Sequence, residues 1–223
     1  MEHSNMDNVT QIHYIWPTLI YSFNSNSNIL QEHEKMIADI KDDVNGKKRQ
    51  SPYGPRYQAG FEKFGLNQGR DDLHNLPSFK KFSIFIEQLS TEILIEEGFK
   101  NQTIQITNMW ANQQNDGSVH PPHSHANSVL SGVYYIKATN ESSKIHFFDP
   151  RAQAKVLKPR RDTFTSDNSN VYGIPSVTGT GAIFPSWLMH WAPPNTGERI
   201  SISWNILVRG DYGEPGTFQN ANI

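Results

Sequence analysis

The chain has 223 residues, a formal net charge of −2 and a sequence pI of about 6.5. That length suits an all-β sandwich or barrel folding as one domain around a sizeable core. The balanced charge makes neither nucleic acid nor an anionic membrane an expected partner, and the absence of cysteine excludes disulfides, zinc ribbons and thiol nucleophiles. The polar N-terminus carries no signal-peptide pattern. No apolar run is long enough to span a bilayer, so a soluble, cytoplasmic protein is expected. The first dozen residues read as a loose tail. His13 to Phe23 is rich in aromatic and β-branched residues and predicts a strand, with Pro17 marking an edge or bulge. A turn at SNSN precedes a helix over Leu30 to Val44, which Asn45-Gly46 stops. Gln50 to Asn75 reads as loop with one short strand. Ser78 is a candidate N-cap for a second helix, Phe79 to Glu97, ended by Gly98. Its apolar stripe is Phe82, Phe85, Ile86, Leu89, Ile93 and Leu94.

From Gln102 the pattern changes to short strand-like runs between turn clusters: QITNMWAN, VLSGVYYIKA, KIHFFD, AKVLKP, NVYGIPSV, GAIFPSWL and RISISWNILVRG. Such spacing predicts an all-β sandwich or barrel. The expected organisation is one domain over 1–223: helical and strand support over 1–101, a β core over 102–210 and a tail over 211–223. The fold class is mainly β (α+β).

The densest chemistry is VHPPHSHANSVL, with His120, His123 and His125 within six residues. On a strand, His123 and His125 would share one face, because side chains alternate with a period of two. Two imidazoles so placed can grip a cation, and His190 in FPSWLMHWAPP is the best candidate for a third. Imidazole suits iron, zinc, copper and nickel, so the residues alone do not name the metal. His3, His13, His33, His74 and His146 read as structural. Arg199 follows His190 by nine residues across the turn WAPPNTGE, so both can point into one cavity. Its guanidinium suits a carboxylate bidentately. Ser201, two residues on, shares its face. Ile200, Ile202, Trp204 and Phe184 are expected to wall Arg199 with apolar surface.

These motifs resemble the Fe(II)/2-oxoglutarate-dependent oxygenases, including the prolyl hydroxylases. More narrowly, Trp110-Ala111-Asn112, His123 to Tyr135, Phe147 to Arg151, Phe184 to His190 and Arg199 to Asn205 look like a group of 2-oxoglutarate–iron oxygenases known mainly from bacterial and phage genomes. The resemblance implies a double-stranded β-helix (jelly roll) with supporting N-terminal helices. It implies Fe(II) as cofactor and 2-oxoglutarate as cosubstrate, decarboxylated to succinate as dioxygen oxidises a substrate, usually by hydroxylation. His123 and His190 match the two histidines of the metal triad. Arg199, Ser201 and Tyr135 match the residues that hold the far carboxylate of 2-oxoglutarate. The family's third ligand is a carboxylate, and here His125 stands in its place. His125 is preferred as third ligand, with Asp149 in FFDPR as the alternative. Trp110, Asn112, Trp187 and Asn205 are expected at the pocket, and Tyr134, Phe148 and Trp191 as further aromatic wall.

The expected partners are 2-oxoglutarate, dioxygen and a substrate that is a small molecule or a protein side chain. Homo-oligomerisation is left open. The polar stretches QSPYGPRYQAGF and PRRDTFTSDNSNVYG, and the basic residues Lys155, Lys158, Arg160 and Arg161, are candidates for meeting that substrate. Two readings from other classes remain: a cupin-like metalloprotein that uses no 2-oxoglutarate, and a non-enzymatic metal- or ligand-binding module.

Overall fold

The computed structural model describes residues 11, 13–45, 64–100, 103–151, 153 and 156–223. The expectations for His3, for Lys155 and for most of the N-terminal tail and the 50–61 stretch lie outside the described residues. Two antiparallel sheets face each other. The larger has six strands in the order β1-β8-β5-β10-β3-β2. These are β1 (Tyr21–Asn24), β8 (Thr180–Pro185), β5 (Leu130–Lys137), β10 (Arg199–Arg209), β3 (Thr103–Gln114) and β2 (Leu66–Gln68). The smaller has the order β4-β9-β6-β7, from β4 (His120–His123), β9 (His190–Ala192), β6 (Ile145–Phe148) and β7 (Val171–Ile174). From β3 onward, neighbours in the sheets are rarely neighbours in sequence, which is the winding of a jelly roll. The expected fold class is therefore the observed one.

Alternation along the strands separates two cores. Ile200, Ile202, Trp204 and Ile206 of β10, with Met109, Ala111, Tyr134 and Ile183, pack outward onto the helices. Val133, Tyr135, Phe147, Ala182 and Phe184 fill the space between the sheets. The helices are α1 (Ser27–Leu30), α2 (His33–Asn45) and α3 (Lys80–Glu96). Asn26 caps α1 by accepting from the Ile29 amide at 3.1 Å. The predicted stripe of α3 lies wholly in the outer core. Gly98, at φ 86°, lets the Phe99 amide reach back to the Leu94 carbonyl at 2.9 Å and closes α3. Tyr134 turns the other way from Tyr135: it meets His33 Nε2 at 2.7 Å and donates to Ser25 at 2.8 Å. No helix among the described residues is long and apolar enough to cross a membrane.

Several expected elements differ. The strand expected over His13 to Phe23 is only β1, and Tyr14, Ile15 and Trp16 are exposed. Strand propensity needs a partner to act on, and of this stretch β8 pairs only with residues 21–24. Ser78 does not cap α3; it sits in a 3-10 turn at Pro77–Phe79 and donates to Asp39. The described part of AKVLKP forms no strand, and Val156 and Leu157 are exposed. The C-terminal residues carry a hairpin of β11 (Asp211–Tyr212) and β12 (Ala221–Asn222) rather than a tail.

Gly132 on β5 lies opposite Trp204 on β10, and a Cβ there would stand 2.1 Å from the indole. Trp204 is fully buried, so the ring cannot swing into solvent. Gly132→Ala should therefore destabilise the protein by roughly 1–3 kcal/mol through overpacking. Urea unfolding of both proteins checks this, with an unchanged midpoint as the contrary result.

Candidate metal centre and cosubstrate cleft

β4 and β9 pair so that His123 stands directly opposite His190. The imidazole nitrogens of His123, His125 and His190 all lie within 4.8 Å of one another. His125 Nε2 and His190 Nε2 are 3.3 Å apart. Nitrogens on one cation at about 2.1 Å are expected about 3.0–3.4 Å apart, from right-angled to tetrahedral geometry. The spacing therefore suits a shared metal. His123 Nδ1 and His190 Nδ1 each face a backbone carbonyl at 2.8 Å, of Pro121 and Leu188. A carbonyl only accepts, so both Nδ1 atoms carry the proton and both Nε2 atoms keep the lone pair a metal needs.

His125 reaches the group by a different route from the expected one. It lies beyond the end of β4, not on it. Its amide donates to the Ser186 carbonyl at 2.8 Å, and its ring stacks on Trp110 with centroids 5.7 Å apart. The shared-face argument is thus corrected: a long-range backbone contact aims His125, not strand alternation. Asp149 is elsewhere engaged, receiving the Arg151 guanidinium at 3.1 and 3.2 Å.

Burial pulls the His190 pKa down to about 3 and that of His125 to about 4. The neighbouring His123 adds to both shifts, while the Leu188 carbonyl and Asn205 respectively oppose them. Burial also lowers His123, and takes His120 well below its ordinary value. The cluster is therefore held neutral, the form that ligates metal. His120, whose ring is 4.2 Å from that of His123, is a fourth imidazole in the same cleft.

The cleft runs from the histidines to Arg199, with Trp110, Tyr135, Phe184 and Ser201 along it. Arg199 is only 4% exposed, yet among the described residues it meets no carboxylate. Its Nη1 donates to the Ser143 carbonyl at 2.6 Å and toward the Ser143 and Ser176 hydroxyls at 3.1 and 3.4 Å. Its Nη2 donates to Gln114 Oε1. Tyr135 lies beneath it, ring centroid 5.6 Å from the guanidinium carbon. Glu198, its sequence neighbour, pairs with Lys137 instead. The expected apolar wall is corrected here. Ile200, Ile202 and Trp204 face the helices, and Arg199 is set among neutral polar groups. Ser143, Ser176 and Gln114 were not foreseen. Of these only Gln114 had a legible signal, as the third member of the alternating series Trp110, Asn112, Gln114.

The other expected residues divide. Asn112 is buried in the cleft and ties β2 to β10 through Gln68 and Ser203. Asn205 is buried between Ser131 and Asn108 and lies against His125. Trp187 is 58% exposed and outside the cleft lining, because it sits in the turn after β8. Tyr134 belongs to the helix side and Phe148 lies outside the cleft lining, whereas Trp191 lines the cleft as expected, its ring also packing against Phe148 and His146.

The lowered histidine pKa values carry a pH dependence. An unfolded histidine takes its proton near pH 6.5, whereas folded His125 and His190 resist it until about 4 and 3. Between these limits the unfolded chain binds more protons, so stability falls with falling pH. The melting temperature of metal-free protein should be flat above about pH 7 and drop from there toward pH 4. A profile without that drop would contradict the neutral, buried cluster.

Residues 108–205 match the family described as "Putative 2OG-Fe(II) oxygenase". No curated protein matches the chain in sequence. Among solved structures, a Pseudomonas putida prolyl-4-hydroxylase is similar at 13% identity and a TM-score of 0.57, covering 84% of this chain and 92% of its own. The non-heme α-ketoglutarate-dependent epimerase SnoN from nogalamycin biosynthesis is similar at 12% identity and a TM-score of 0.58, covering 90% and 83%. HygX from Streptomyces hygroscopicus, solved with nickel, 2-oxoglutarate and hygromycin B, gives 11% identity and a TM-score of 0.54, covering 85% and 82%. At these identities the structural likeness is one of fold, and the sequence likeness to the 2OG-Fe(II) oxygenase family lies in residues 108–205, the stretch that carries the histidines and Arg199.

Proposed function

We propose that the chain is a dioxygenase in which His123, His125 and His190 hold Fe(II), Arg199 anchors the far carboxylate of 2-oxoglutarate, and an organic substrate is hydroxylated. The observation that carries this is the buried Arg199, which meets no carboxylate among the described residues and faces the same cleft as the converging imidazoles of His123, His125 and His190. A guanidinium buried without a counter-ion is costly, by several kcal/mol on the order of the effective penalty for a desolvated ion. An anionic ligand would relieve that penalty. HygX, with nickel and 2-oxoglutarate on a similar fold, supports the pairing of metal and cosubstrate.

Iron and 2-oxoglutarate together supply oxidation of a substrate C–H bond by dioxygen, with the cosubstrate leaving as succinate and carbon dioxide. The chain's own residues supply position. The Pro121 and Leu188 carbonyls orient His123 and His190, and Trp110 holds His125 by stacking. Ser143, Ser176 and Gln114 hold the Arg199 fork in place, and Ser201 and Tyr135, cross-strand neighbours, face the same carboxylate site. Phe184 and Phe147 pack against His190 and keep water from its inner side.

His123→Ala and His190→Ala should each abolish stoichiometric iron binding and leave the fold intact. His125→Ala should lose most of the iron, and Asp149→Ala should keep it. Metal analysis of the four purified variants decides the set, and the reverse behaviour of the last two would move the third ligand to Asp149.

Arg199→Ala should weaken 2-oxoglutarate binding by about a hundredfold, roughly 3 kcal/mol for a charged hydrogen-bonded contact. Arg199→Lys should recover only part, since an ammonium makes no fork. Neither should change metal affinity. Calorimetric titration into anaerobic, Mn(II)-substituted protein measures both, and unchanged affinity in folded, metallated Arg199→Ala would overturn the anchor.

A further inference from the structure

Gln114 ends β3 and stands directly across from Arg199 on β10. Its side chain is fully buried, and its oxygen accepts from Arg199 Nη2. A guanidinium only donates, so the amide cannot be turned round: oxygen faces Arg199 and nitrogen faces away. That nitrogen lacks a hydrogen-bond partner among the described residues, as does Arg199 Nε. Gln114 lines the same cleft as Tyr135 and Ser201. Two adjacent side chains thus hold unpaired, buried N–H donors around one positive charge. Buried donors left unsatisfied are costly, and an acceptor between them would relieve both.

We infer that Gln114 is a second donor to the far carboxylate of the cosubstrate, binding it together with Arg199. The inference rests on the 2-oxoglutarate reading of the cleft and adds a residue to it. The amide has two tasks at once. Its oxygen holds the guanidinium without neutralising it, and its N–H groups present positive character to the ligand. A carboxylate has acceptors for both donors and the charge that offsets Arg199, which a neutral acceptor lacks and a cationic group would oppose. Glutamate, of nearly the same shape, would perform the first task and defeat the second. Its own carboxylate would pair with Arg199 and repel the ligand's.

The test uses full-length, Mn(II)-loaded protein under anaerobic conditions, titrated with 2-oxoglutarate, as wild type, Gln114→Glu and Gln114→Met. Gln114→Met should lose about tenfold in affinity, the worth of one hydrogen bond to a charged group. Gln114→Glu should lose more than about a hundredfold, because a charge-assisted internal pair replaces the ligand. Gln114→Glu should still take up one equivalent of Mn(II) and should melt higher than wild type without 2-oxoglutarate. Gln114→Glu reports the pairing with Arg199 alone, so the loss in Gln114→Met, which adds no charge, is the result that reports the donor to the ligand. Wild-type affinity in Gln114→Met would overturn the inference and leave the reading of the cleft standing. Wild-type protein that takes Mn(II) but not 2-oxoglutarate would overturn both.

Discussion

The alternation of side chains along β10 is the constraint on which the rest of this structure depends. One strand, central in the large sheet, carries Ile200, Ile202, Trp204 and Ile206 on one face and Arg199, Ser201, Ser203 and Asn205 on the other. The apolar face recruits the helices and supplies the outer core. Hydrophobic burial on that side stabilises the strand, with each fully buried large side chain contributing roughly 1.5–3 kcal/mol. The polar face is thereby held inside the roll, where it would not stay on its own account. A slip of one residue would exchange the two faces and bring Arg199 against the helices.

Charge follows from that arrangement. Arg199 is buried and held by a carbonyl, two hydroxyls and a carboxamide, all neutral. The histidine cluster is neutral too, since burial disfavours its protonated form. The described protein thus keeps one positive charge in a cleft that has no negative counterpart among the described residues. A divalent metal on three imidazoles would add two more positive charges. A set of two histidines and a carboxylate would offset part of this locally. Were His125 to stand in that place, the doubly charged 2-oxoglutarate would be the natural compensation, one carboxylate at each end of the cleft.

Much of this was legible from the residues, and the reasons are local. The strands from 103 onward announce themselves by β-branched and aromatic runs between turns. His190 and Arg199 flank a turn rich in Pro and Gly, which brings their strands back to one cleft. His125 is a different case. The two-residue spacing from His123 suggested a shared strand face, but β4 ends at His123 and the Ser186 carbonyl, sixty-one residues away in sequence, aims His125. Contacts of that range leave no trace in local periodicity. The same holds for Ser143 and Ser176, loop serines that only the folded chain brings to Arg199. Trp187 looked like pocket wall by its motif, yet the turn at 186–189 carries it outward.

The central claim is that three neutral imidazoles and one buried guanidinium form the two ends of a single cosubstrate site. Crystals grown anaerobically with Fe(II) and 2-oxoglutarate, measured for anomalous scattering at the iron edge, test it most directly. The account predicts one iron peak about 2.1 Å from Nε2 of His123, His125 and His190, with one carboxylate of 2-oxoglutarate on Arg199. Iron bound through Asp149 in place of His125, or 2-oxoglutarate seated away from Arg199, would contradict it.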